Sequence, residues 1–170
     1  MNASNRLNIL EENQIDELYG HPQLSLEERQ QYFSLSEEEH LEKDQFKLIS
    51  GKILFILQLG YFKCRSLFFS LDKDLSSKDI LYIIETFYPD FKIEDLRVSD
   101  RIRLFQQKII ADMFGYKILK TPGRKLFDKK AAYLAKIHSN PAYLFNELKN
   151  YLDNEKIFFL QKMIIYTILL

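Results

Sequence analysis

Tryptophan is absent from this 170-residue sequence, cysteine occurs once, and glycine and proline occur only five and four times. A single cysteine, Cys64, cannot make a disulfide within the chain, so a disulfide framework is excluded and a reducing, cytoplasmic setting is expected. A catalytic thiol would need a histidine close by. Cys64 has none in its local sequence and reads as a small apolar packing residue. The three histidines, His21, His40 and His138, are scattered, with no HExxH and no Cys/His pair at ligand spacing, so no metal site is expected. There is no glycine-rich phosphate loop either, and no cofactor is expected. No stretch reaches the roughly 18 apolar residues of a membrane span. The nearest, Ile157–Leu170, is short and interrupted by Gln161 and Lys162. The N-terminus lacks the charged-then-apolar pattern of a signal peptide.

Apolar residues make up 46% of the chain, a globular composition. Scarce Gly and Pro, together with long runs of period 3.6, point to an all-α fold. Net charge is zero but unevenly placed. Residues 1–50 carry 4 basic and 11 acidic side chains, residues 51–96 carry 6 and 7, residues 97–136 carry 11 and 3, and residues 137–170 carry 3 and 3. A block of net +8 is therefore hidden in a neutral total. Such asymmetry points to a polyanionic partner, or to docking of the basic block against the chain's own acidic N-terminal third.

Along the chain, Asn8–Tyr19 predicts a short helix ended by Gly20. Ser25-Leu26-Glu27-Glu28 and Ser36-Glu37-Glu38-Glu39 each have capping-box spacing and open two small helices. Phe46–Phe69 is apolar almost all round and should be the central helix, with Gly60 at a close helix crossing. Ser76-Ser77-Lys78-Asp79 should cap a helix over Ile80–Tyr88, stopped by Pro89. Ile102, Phe105, Ile109 and Met113 in SDRIRLFQQKIIADMFGY recur at steps of three and four and predict the buried face of an amphipathic helix. Ser99 or Asp100 can cap its start, and Gly115 sits where a left-handed residue closes a helix. Arg101, Arg103, Gln107 and Lys108 are then expected on its other faces. Thr121-Pro122 precedes a helix over Lys125–Ile137, with Leu126, Ala131, Leu134 and Ala135 inward, and Asn140-Pro141 opens another over Ala142–Leu152.

Three stretches, in order, resemble the N-terminal region of the large replicative transposases of the Tn-three family. The first is Leu18-Tyr19-Gly20-His21-Pro22 with Glu28-Arg29 and Tyr32-Phe33-Ser34-Leu35. The second is Gln58-Leu59-Gly60-Tyr61-Phe62-Lys63, and the third is Arg101, Arg103, Lys108, Ile110, Gly115 and Tyr116. The resemblance implies an all-helical, helix-turn-helix-like module that recognises the double-stranded DNA of terminal inverted repeats. Arg101, Arg103 and Lys108 are the expected phosphate contacts and Gln107 the expected base reader. Lys117, Lys120, Arg124, Lys125, Lys129 and Lys130 would extend the phosphate track. Where the family has a histidine, this chain has Gln106, which can still hydrogen-bond a phosphate or an adenine edge. The family's catalytic acidic residues lie in a C-terminal domain much farther along a longer chain, so none carries over and no enzyme activity is expected of this one. A compact single domain over residues 1–155 is anticipated, with residues 156–170 as an apolar, degenerate or truncated tail. Self-association is the competing role, and a transposase remnant without function a third.

Overall fold

The computed structural model describes residues 20–158 apart from residues 70, 73, 119 and 120. The helix expected over Asn8–Tyr19, the first two residues of the Leu-Tyr-Gly stretch and most of the apolar tail lie outside the described residues. The fold is all-α, as expected. Two compact units divide between Ile110 and Ala111, within the span anticipated as one domain.

In the unit His21–Ile110, the predicted capping boxes form. Ser25 accepts from the Glu28 amide at 3.2 Å while Glu28 accepts from the Ser25 amide at 2.8 Å, opening α1 (Leu26–Tyr32). Ser36 and Glu39 do the same at 3.3 and 2.8 Å for α2 (Glu37–Asp44). The central helix is α3 (Ile49–Arg65), buried from Ile53 through Phe62 without a break, which is why its sequence is apolar all round. Ser66, left-handed at φ 52°, closes it. Helix α4 (Ser77–Phe87) follows, then a short 3-10 turn over Ile93–Asp95, then α5 (Asp100–Met113), which carries the chain out of this unit. The core joins Phe33, Ile53, Ile56, Leu57 and Tyr61 to Ile80, Ile83, Ile84 and Leu96. Cys64 packs at its edge, half-buried, and burial raises its thiol pKa.

Gly60 is the predicted crossing point. A Cβ there would overlap the ring of Phe33 and stand 3.3 Å from the Tyr32 carbonyl oxygen, so only glycine lets the end of α1 lie on α3. Ser76 holds the N-cap position of α4 as expected but does not cap with its side chain. Its Oγ, fully buried, sits 3.0 Å from His21 Nε2. His21 Nδ1 is 3.2 Å from the Pro22 carbonyl, so the tautomer protonated on Nδ1 donates there and leaves Nε2 to accept from Ser76.

The other unit is described from Ala111 to residue 158. Helices α6 (Thr121–Ile137) and α7 (Pro141–Asn154) pack through Phe127, Leu134, Leu148 and Leu152. Leu134 and the half-buried Ala131 face inward as expected. Leu126 and Ala135 do not. Leu126 is 61% exposed and Phe127 takes the core position, because the stripe that faces α7 runs through 127, 131 and 134. Strands β1 (Lys117–Ile118) and β2 (Ile157–Phe158) form a two-residue parallel pair, with Lys117 opposite Ile157. The first residues expected in an apolar tail are thus part of this unit.

Candidate nucleic-acid interface

Ser99 Oγ accepts from the Ile102 amide at 3.3 Å and starts α5. At the far end Gly115 is left-handed at φ 72°, the Gly115 amide donates to the Asp112 carbonyl and the Tyr116 amide to the Ala111 carbonyl, the two bonds of a Schellman ending. The helix therefore has the predicted ends, but its faces are turned from the predicted ones.

Ile102 and Phe105, expected in the core, are 37% and 57% exposed, and Ile109 and Met113 are half-buried. The buried residues are Gln106, Gln107, Ile110 and Ala111. Gln106 is fully buried against α3. Its Nε2 donates to the Gly51 carbonyl at 2.7 Å and its Oε1 accepts from Gln58 Nε2 at 2.8 Å. The Gly51 carbonyl can only accept, so it fixes which way the Gln106 amide points, and that in turn fixes Gln58. The inward stripe is thus 103, 106, 107 and 110, with Gln106 held by polar partners on α3 and Arg103 paired with Asp100. Periodicity weighted by apolarity favours the other stripe and misses this one. The signal available was the spacing of Gln106 to Ile110 and of Gln107 to Ala111, four residues each.

This corrects one site expectation outright. Gln107 is 5% exposed, and an amide so enclosed cannot meet a base edge from this helix surface. Gln106, similarly, is a structural link between α5 and α3 and is closed to phosphate. Arg103 lies on the inner flank, its side chain 23% exposed and paired with Asp100 at 3.1 Å, where it helps line a small cavity with Gln58, Tyr61 and Ser76. Arg101 and Lys108 are exposed. So are Leu104 and Phe105, and the four stand at i, i+3, i+4 and i+7, a single outward face.

In the other unit Lys117 is exposed on β1, and Arg124, Lys125 and Lys129 are exposed on α6. Lys130 is half-buried, its ammonium 5.9 Å from the centroid of the Tyr151 ring. Lys120 lies outside the described residues. Two described acids of the N-terminal third have partners of their own. Glu39 pairs with Lys63 at 2.8 Å, and Asp44 with Lys52 at 2.8 Å and Lys43 at 3.4 Å. The Lys52 ammonium, hydrogen-bonded to the Asp44 carboxyl, holds that group below its usual range. Among the described residues no cluster of three or more His, Cys, Asp or Glu is placed to hold a metal, and no helix is long and apolar enough to cross a membrane.

A buried polar knot lies in the unit His21–Ile110. Asp79, 2% exposed, accepts from Arg29 Nε at 2.6 Å and from the Tyr61 hydroxyl at 2.6 Å. Burial and the bond to Asp79 push the Tyr61 phenol well above its ordinary range. Arg29, Phe33, Gly60, Tyr61 and Gln58, which carried the sequence resemblance, are therefore packing and hydrogen-bonding residues of the core.

An all-helical protein with cations on outward helix faces is the class defined by this geometry. The chain belongs to the family described as a domain of unknown function, DUF4158, which it matches over residues 9–160. That domain is found in transposase-associated proteins. No curated protein and no solved structure matches the chain.

Proposed function

We propose that this domain binds double-stranded DNA at the terminal inverted repeats of a mobile element, as the N-terminal recognition module of a transposase of the Tn-three kind. The observation that carries the reading is the exposure of Arg101 and Lys108 on one face of α5, while the acids Glu39 and Asp44 are engaged by Lys63 and Lys52. The exposed Arg124, Lys125 and Lys129 on α6 add to it, as does membership of a family found in transposase-associated proteins. The reading assigns recognition, not strand cleavage, to this domain.

A gel shift with inverted-repeat duplex at two salt concentrations tests it. Each phosphate neutralised steepens the log–log salt dependence by about 0.9, so Arg101→Ala with Lys108→Ala should weaken binding and flatten the slope by about 1.8. Arg103→Ala should cost less, its charge being partly spent on Asp100. Unchanged affinity and slope in the double variant would remove α5 from the interface. A second reading, self-association, is favoured by Leu41 and Leu48, which are 72% and 68% exposed. Sedimentation velocity without DNA, over a range of concentrations, decides it.

A further inference from the structure

The outward face of α5 is neither a plain cationic face nor an apolar one. Its order is cation, apolar, apolar, cation: Arg101, Leu104, Phe105, Lys108. Leu104 is 46% exposed and Phe105 57%, and the Phe105 ring is steadied edge-on by Phe46, with centroids 6.5 Å apart. The cations are seven residues apart, about 10 Å along the axis. That compares with a B-DNA major groove about 12 Å wide, which admits a helix where the minor groove does not. Side chains at the two ends then reach phosphates while those between them face base edges. Asp112, exposed one turn beyond Lys108, ends the cationic run.

Gln106 turns its amide inward and Gln107 is buried, so Leu104 and Phe105 occupy the middle of the face. They offer no hydrogen bond, and the apolar feature of a base edge in the major groove is the thymine 5-methyl group. We infer that α5 reads thymine methyl groups through Leu104 and Phe105, with Arg101 and Lys108 as flanking phosphate anchors. This rests on the DNA-binding reading above and replaces the hydrogen-bonding reader expected at Gln107 with an apolar one.

The test measures the full chain on two duplexes of equal length, alternating dA-dT and alternating dA-dU. The two present the same charge and the same hydrogen-bonding edges and differ in the methyl group. The wild type should bind the thymine duplex roughly four- to fifteenfold more tightly, the effect of burying one or two methyl groups. In Phe105→Ala, and separately in Leu104→Ala, the ratio should fall toward one with the salt slope kept. Equal affinity of the wild type for both duplexes, with a normal salt slope, overturns the methyl reading and leaves DNA binding standing. A preference that survives both substitutions belongs to duplex shape and also overturns it. If the wild type binds neither duplex nor inverted-repeat DNA, DNA binding itself fails, and the methyl reading with it.

Discussion

Replacing Gly60 with alanine should destabilise the unit His21–Ile110 by about 2 kcal/mol, although alanine is the better helix former. Gly60 lies inside α3, so its local gain is helix propensity, about 1 kcal/mol. Against it stands the new methyl, which would overlap the Phe33 ring. That ring is 1% exposed, with Tyr61 and Tyr82 at centroid distances of 6.1 and 6.0 Å, and the Tyr32 carbonyl oxygen would stand 3.3 Å from the added atom. Overpacking where neighbours cannot yield costs about 3 kcal/mol at the upper end of its ordinary range. Urea unfolding followed by circular dichroism would register the difference as a lower midpoint at unchanged slope. In a domain of this size each kcal/mol lost lowers the melting temperature by about 4–8 °C. The decisive arm uses a Phe33→Ala background, where the added methyl has room and Gly60→Ala should become neutral or stabilising by up to about 1 kcal/mol. The reasoning is refuted if Gly60→Ala is harmless in the wild type, or equally costly in both backgrounds.

Gln106→Leu should lose about 1–3 kcal/mol for the buried Gln58 amide N–H it orphans, whereas Arg101→Ala should stay within about 0.5 kcal/mol; denaturant midpoints compare them. Tyr61 is held above its ordinary 10.0, and Tyr88 is pushed up to about 12, chiefly by burial. Both phenols stay protonated in the folded chain after unfolded tyrosines have ionised. Their contribution is therefore complete below pH 10 and is lost as pH rises through the folded values. Tyr61→Phe should make that alkaline fall shallower by about 1.4 kcal/mol per pH unit, read from urea midpoints across the alkaline range.

Much of the fold was readable before any coordinates. Period 3.6 with few Gly and Pro is enough for an all-α chain, because a helix is decided locally by propensity, caps and one apolar stripe. The boxes at Ser25 and Ser36, the left-handed Gly115 and the crossing at Gly60 were readable for the same reason: each rests on residues within one turn, or on a residue with no side chain. The site was less readable. Arg101, Arg103, Gln107 and Lys108 were all expected to face outward, but the helix has two stripes of similar spacing, and sequence alone weighs them by apolarity.

What the sequence alone determined is the class of fold, the capping boxes at Ser25 and Ser36, the ends of α5 and the cationic block over residues 97–136. Which side of α5 meets α3 was a tertiary decision. Gln58 offers a buried amide N–H and Gly51 a carbonyl with a lone pair to spare, and Gln106 meets both only if it turns inward. That rotation moves Gln107 into the interior, brings Leu104 and Phe105 out between Arg101 and Lys108, and leaves Arg103 on the flank beside Asp100. Charge is carried by the sequence; the face on which it is offered follows from pairing polar groups that lie far apart along it.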